Sequence, residues 1–223
     1  VAVIAEAALP VLVRVVGFPG ELRSDAAVAD ATGGLRVVPC LRQRGSSSEA
    51  PPLMVESFAI VEFLLESSAA HFPGAAALRV APGAAERSKY LSLLAYAMAT
   101  VKPLVSNAIF LASLAPAPDT AAIAAAKETW AQRVAPFLIA ALGDGDYFVA
   151  GRLTAVDIAM TKALGNAAAA GLLEVGGVLE KHYARMASRA SHQLAYGAAE
   201  PGLYEVAHGE GAALAFSVVE ACS

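Results

Sequence analysis

Apolar positions up to about residue 80 follow two patterns in turn, one with the alternation of a strand and one with helical spacing. The β-branched run at 11–16 is bounded by Pro10 and Gly17, which is typical of a short strand. The predicted elements are a helix over 2–9, strands over 11–16, 35–41 and 53–55, a helix over 57–70, and a loop with one irregular helical turn over 17–34. This order indicates a small unit that mixes helices and strands.

Beyond about residue 80 the pattern is helical throughout. Residues 71–85 carry the proline and glycine punctuation of a linker. Helices are predicted over 86–110, 120–142, 154–170 and 178–195, and no strand is predicted among them. The sequence therefore predicts an α/β domain over 1–75 and an all-helical domain over 84–200, and leaves 201–223 as a C-terminal extension.

The composition indicates a helical protein that associates with a partner. Of the 223 residues, 57% are hydrophobic and the mean hydropathy is +0.56, with much of the excess in alanine and valine, which favours a mostly helical protein. Surplus apolar surface suggests a homodimer or a hetero-assembly. The uncharged stretch 103–118 is interrupted by prolines and Asn107, so we expect no transmembrane segment.

Charge, cysteines and histidines indicate which partners and compartments are not expected. The net charge is −4 and the basic residues are scattered, so no nucleic-acid partner is expected. Cys40 and Cys222 cannot form a disulfide framework, which favours a reducing intracellular compartment, the cytoplasm or an organelle matrix or stroma. The four histidines lack metal-ligand spacing, so neither a metal nor another cofactor is expected.

Three stretches resemble segments of glutathione transferases. LRVVPCL at 35–41 is similar to that family's G-x-V-P-x-L, and VESFAIVEFL at 55–64 is similar to ES-x-AI-x-x-YL. YFVAGRLTAVDIAM at 147–160 is similar to YL-x-G-x-x-x-T-x-A-D-I. In order and spacing they cover the chain from Val1 to about Tyr196. The resemblance implies a thioredoxin-like N-terminal domain of the glutathione-binding type, followed by an all-helical C-terminal domain.

The resemblance also implies a glutathione site. Val38 and Pro39 stand where the family has a cis-proline, and the backbone of the residue before it pairs with the cysteinyl part of glutathione. Ser57 at a helix start would receive the γ-glutamyl carboxylate, and Glu56 would meet the ammonium group. The alternative from the residues alone is that Ser57 caps its helix and Val38-Pro39 simply starts a strand. Both interpretations remain open.

Other candidate residues favour structural roles. Thr154 and Asp157 have the spacing of a capping box that starts a buried helix. By the alternation of the predicted strand, the Cys40 side chain faces the core. A buried structural cysteine is therefore favoured over a nucleophile at this position. On the first long helix of the second half, which the resemblance places beside the pocket for the electrophile, core packing or a dimer contact is favoured for Tyr90, Tyr96, Met98 and Asn107.

The chain departs from the family at its start. The family's catalytic Tyr, Ser or Cys lies at the end of the first strand or at the start of the first helix, but residues 1–9 contain none of the three. No first strand is visible, although in that fold it lies between the second and third strands. We therefore expect residues upstream of Val1; a degenerate sheet or a strand from another chain are the alternatives.

Two hypotheses of function follow. The first is a glutathione transferase that binds glutathione and conjugates it to an apolar electrophile, with its catalytic residue upstream. The second is a non-catalytic docking or scaffold subunit of a translation-machinery or organellar assembly, favoured by the missing catalytic residue and by the polar insertion at 42–52. A redox or ligand-carrying relative that uses Cys40 is a weaker third.

Overall fold

A computed structural model describes residues 1–17, 24, 26, 29, 34, 35, 37–43, 53–113, 119–196, 202–205 and 216–222. Most of the predicted loop over 17–34 and of the insertion over 42–52 lies outside these residues. The chain divides into two compact units, one formed by 1–79 with 190–223 and the other by 80–189.

The first unit begins with a helix, three strands and two more helices: α1 (Ala2–Glu6), β1 (Val11–Gly17), β2 (Cys40–Gln43), β3 (Met54–Val55), α2 (Ser57–Ser68) and α3 (Pro73–Leu78). The second unit contains α4 (Arg87–Tyr96), α5 (Lys102–Ser113), α6 (Thr120–Thr129), α7 (Ala135–Leu142), α8 (Ala155–Ala169) and α9 (Val178–Ala187). The chain then completes the first unit with α10 (Ala190–Tyr196), β4 (Gly202–Glu205) and β5 (Phe216–Cys222).

The five strands form one sheet in the order β3-β2-β5-β1-β4. β5 runs parallel to β1, with Val11 opposite Phe216 and Gly17 opposite Cys222. On its other side β5 runs antiparallel to β2, with Cys40 opposite Val219. The centre of the sheet is therefore filled by a strand from 201–223, the segment that the sequence left as an extension. The strand expected upstream of Val1 has its place taken by β5.

The predicted strand over 35–41 differs in its bounds from β2, which begins at Cys40. Pro39 has no amide N–H to give to a ladder, so pairing starts at the residue after it. Cys40 is buried, as expected. Gly74 in α3 lies close to the end of α1: a Cβ on Gly74 would be 2.6 Å from the carbonyl oxygen of Ala7, the C-cap residue of α1.

Two short π-helical turns interrupt the long helices of the second unit. They span Ala97–Val101 and Trp130–Val134, and each ends two residues before a proline, Pro103 or Pro136. A proline lacks the N–H that an α-helix would use, and its ring crowds the preceding turn, so the backbone shifts its hydrogen-bond pattern there.

One described helical run, Arg87–Leu111, is long and apolar enough to cross a membrane by length and composition. Within the second unit this run packs on α8 and buries Tyr90, Leu94, Val101 and Val105. About 33% of its apolar window is buried in this way.

Among the described residues of the second unit, Asp157, in the first turn of α8, is a fully buried carboxylate. Its Oδ1 accepts a hydrogen bond from the Phe148 amide at 2.9 Å, and its Oδ2 accepts from the Thr154 amide at 2.9 Å. With Thr154 it forms a capping box. Burial raises the pKa of Asp157, whereas these hydrogen bonds lower it. The carboxylate thus satisfies buried donors at a helix start.

His182 packs beside this carboxylate. Its Nε2 lies 4.0 Å from Asp157 Oδ1, and its ring stands edge-on to Phe148 with the centroids 4.9 Å apart. Burial lowers the pKa of His182 to about 4, while the hydrogen bond with the Asp146 carbonyl raises it. The imidazole is therefore neutral at physiological pH, and the pair contributes packing rather than a salt bridge.

We expect Asp157→Ala to lower the free energy of unfolding by about 3 kcal/mol, because it leaves the buried Phe148 and Thr154 amides without acceptors. Urea unfolding followed by circular dichroism measures this change. Asp144→Ala, in the exposed turn after α7, is the control and should change stability by less than about 0.5 kcal/mol. Equal effects for the two variants would contradict the structural role of Asp157.

Candidate functional site

The predicted glutathione-site residues come together at one edge of the sheet, namely the ends of the strands where β2 begins and β3 ends. β2 and β3 are antiparallel, and their paired residues Cys40 and Val55 lie at the point where α2 is about to begin. Pro39 precedes Cys40 and Glu56 follows Val55, so both lie at this edge, as do their neighbours Val38 and Ser57. Residues far apart in the sequence are therefore adjacent here, and the Val38–Pro39 peptide bond is cis.

β5 brings its carboxyl end to the same edge. It is antiparallel to β2, with Cys40 opposite Val219, so the residues that follow Val219 run alongside those that precede Cys40. Ala221 and Cys222 close the strand there, and Ser223 follows outside the described residues. The edge thus combines three separate segments: 38–39, 56–57 and the end of β5.

Glu56 has a backbone conformation that side chains rarely adopt, with φ 75° and ψ 114°. It occupies the N-cap position of α2, where its carbonyl accepts from the Ile60 amide at 3.0 Å, but its exposed side chain does not cap the helix. Non-glycine residues in such conformations cost about 1–3 kcal/mol and cluster at ligand-binding sites.

Ser57 is the first residue of α2, one position beyond the N-cap that the capping interpretation required. The amides of residues 57–59 precede the first intrahelical hydrogen bond, which runs from Ile60 to Glu56. The first turn contains no acidic side chain. Free amides together with the helix dipole favour an anion, so this helix start suits a carboxylate.

Cys222, the last residue of β5, is the candidate that sequence reasoning missed. Residues 216–223, FSVVEACS, contain two adjacent valines in a short apolar run, a pattern that predicts a strand. The run ends in a cysteine and a serine, residue types that can act on a substrate. The sequence does not show that this segment, at the far end of the chain, pairs with β1 and β2 near its start.

The remaining candidates lie elsewhere. Thr154 and Asp157 are buried in the second unit, in the capping box described above. Tyr90 is buried under the Arg87 guanidinium, Tyr96 packs on Phe137 with ring centroids 4.7 Å apart, and Asn107 is exposed. Among the described residues no group of three His, Cys, Asp or Glu side chains is arranged to hold a metal ion.

No protein-family model and no curated protein matches this chain. Solved structures do match it. A glutathione transferase family member from Pseudomonas fluorescens, with two glutathione bound, has a TM-score of 0.68 at 18% identity and covers 86% of this chain and 83% of its own. A glutathione transferase from Methylococcus capsulatus has a TM-score of 0.64 at 18% identity, with 87% and 89% covered.

A third solved structure, the glutathione transferase URE2P8 from Phanerochaete chrysosporium with oxidized glutathione, has a TM-score of 0.62 at 17% identity, with 78% of this chain and 76% of its own covered. The chain therefore has the glutathione-transferase fold, a thioredoxin-like unit combined with an all-helical one. This confirms the fold class expected from the sequence.

We expect Glu56→Gly to raise the free energy of unfolding by about 1 kcal/mol relative to Glu56→Ala, because glycine relieves the backbone strain while both changes remove the carboxylate. Thermal unfolding of the two variants measures the difference. If the glycine variant is the less stable of the two, the backbone at Glu56 is not strained.

Proposed function

We propose that this protein binds glutathione at the shared edge of β2, β5 and α2. The observation that carries the proposal is the sheet register, which brings Val38, Glu56, Ser57 and the end of β5 together. Solved glutathione transferases of the same fold contain bound glutathione, which supports this ligand.

Each part of glutathione finds a complementary group at this edge. The γ-glutamyl carboxylate binds the free amides and the hydroxyl at the start of α2, where Ser57 lies. The carboxylate of Glu56, held outward by its backbone conformation, pairs with the ammonium group. The backbone of Val38, beside the start of β2, hydrogen-bonds with the extended cysteinyl part in the manner of an added strand. Pro39 fixes the backbone at that point.

The same proposal extends to transferase chemistry. The cysteinyl sulfur then lies near the carboxyl end of β5, the strand that ends at Cys222 and is followed in the sequence by Ser223. A hydrogen bond from either to the sulfur stabilises the thiolate and lowers its pKa. The thiolate attacks an apolar electrophile, its electron pair forms the new carbon–sulfur bond, and the thiol proton leaves to solvent. The electrophile's leaving group, where it has one, departs with its bonding electrons.

A docking role is the second candidate, and exposed apolar residues of the second unit favour it. A groove between the π-turn at Trp130, α7 and α9 is lined by Pro136, Ile139, Leu172 and Val178, and Ile139 and Val178 are more than 40% exposed. Such surface suits a homodimer or a larger assembly.

We expect calorimetric titration with glutathione to give saturable binding in the micromolar-to-millimolar range. Ser57→Ala removes a hydroxyl hydrogen bond and Glu56→Gln removes the negative charge that pairs with the ammonium group. Each loss is worth roughly 1 kcal/mol, so each variant should weaken binding about fivefold. Ser67→Ala is the matched control on the same helix, because its hydroxyl bonds only the carbonyls of Phe63 and Leu64. No heat from folded protein would exclude the glutathione site.

We also expect Cys222→Ala or Ser223→Ala to raise the pKa of bound glutathione's thiol by about one unit or more, which is tenfold in thiolate fraction near neutral pH. Ultraviolet absorbance of the thiolate against pH measures it. Ser217→Ala, near the opposite end of β5, is the control. Unchanged pKa values in both variants, with binding intact, would reject the transferase chemistry and leave the glutathione-binding role.

A further inference from the structure

We propose that the gap between β1 and β2 is a strand-acceptor site that takes residues 216–222 from a second copy of this chain as well as from its own. The result is a dimer in which two copies exchange β5. The proposal concerns assembly and does not depend on glutathione binding.

The pairing of β5 is the first support. On one side, all seven residues of β1 (11–17) pair with it in parallel, and on the other, all four residues of β2 (40–43) pair with it in the antiparallel sense. β1 is otherwise paired with β4, and β2 with β3. Among the described strands, β5 alone joins the two halves of the sheet. Without it, two facing edges present unpaired amides and carbonyls, which is the arrangement that captures an added strand.

The connection to β5 is the second support. Glu205 at the end of β4 pairs with Leu12, and Phe216 at the start of β5 pairs with Val11. Both ends of the connecting segment 206–215 therefore lie at the amino end of β1, on its two sides. They are separated by two strand spacings, roughly 10 Å. A ten-residue segment can extend to about 33 Å. Covalent reach thus allows β5 to enter the gap of its own chain or that of a neighbour.

The identity of the partner follows from the register. The acceptor requires one strand that fits a parallel partner on one side and an antiparallel partner on the other, and a second copy carries that strand with every pair preserved. The exchanged and unexchanged forms therefore differ mainly in the cost of closing the connection. Because a ten-residue connection keeps β5 near the gap of its own chain, at an effective concentration on the order of millimolar, the unexchanged form dominates in dilute solution and exchange increases with protein concentration.

Mixing two full-length variants tests this directly. Val13 and Val218 are partners in the parallel pair, where neighbouring strands are about 4.8 Å apart, a separation that a disulfide can bridge. Chains with Val13→Cys are mixed at high concentration with chains carrying Val218→Cys, mildly oxidised, and the linked peptides are identified by mass spectrometry. We expect an interchain 13–218 disulfide whose yield rises several-fold with protein concentration.

Two controls sharpen the result. Ser217→Cys mixed with Val13→Cys should give at least several-fold less interchain product, because a shift of one residue turns the side chain to the other face of the sheet. A single chain with both Val13→Cys and Val218→Cys should form the same disulfide within itself in dilute solution, which checks the register. Absence of any interchain 13–218 link at millimolar protein, with the intrachain link present, would overturn the proposal. So would an intrachain link that fails to form.

Shortening the connection provides an independent variant. Removal of 207–214 leaves two connecting residues, whose three Cα–Cα steps reach about 11 Å only in a straight line. Since β1 lies between the two ends, which are roughly 10 Å apart, so short a connection cannot pass around it within one chain. We expect the interchain fraction to rise several-fold over that of a chain in which 207–214 are replaced by glycine and serine at equal length. If the shortened chain does not fold, the mixture of full-length variants decides.

Discussion

The two-sided pairing of β5 is the constraint on which the first unit depends. β1 with β4 and β2 with β3 are two strand pairs, and within the described residues they become one sheet through the backbone hydrogen bonds of 216–222. With β5 in the centre, the backbone groups of β1 and β2 that face each other are paired. Without it, these groups would be left unpaired inside the sheet. α2 packs on β2 and β3, so the part of the sheet that supports this helix is joined to β1 only when β5 is in place.

The same pairing builds the candidate site. The antiparallel register with β2 brings the end of β5 beside Val38 and Pro39, while the β2–β3 pair adds Glu56 and Ser57. Each segment alone has an ordinary structural explanation, as a strand start, a helix start or a strand end. Their convergence, together with the positive φ of Glu56 and the amides at the start of α2 that have no intrahelical partner, is what supports the proposal of a ligand site here.

Much of this architecture could be predicted from the sequence, because its signals are local. The β-branched run of β1, the helical spacing from Arg87 onwards and the capping-box spacing at Thr154 are each contained in a few neighbouring residues. The neighbours of β5 are not, since strand pairing over two hundred residues leaves no periodic mark, so 201–223 was left as an extension. Similarly, a sequence shows that Ser57 can cap a helix, but not that Glu56 holds the N-cap position with a positive φ.

The central claim is that 216–222 complete a sheet whose edge binds glutathione, and residue-resolved amide hydrogen exchange with and without glutathione tests it most directly. The account predicts that amides of 216–222 exchange as slowly as those of 11–17, and that glutathione further slows exchange at 57–59 and at the end of β5. Exchange of 216–222 at the rate of an unpaired chain, while 11–17 stay protected, would contradict the central position of β5. Protection that glutathione leaves unchanged at this edge would contradict the site.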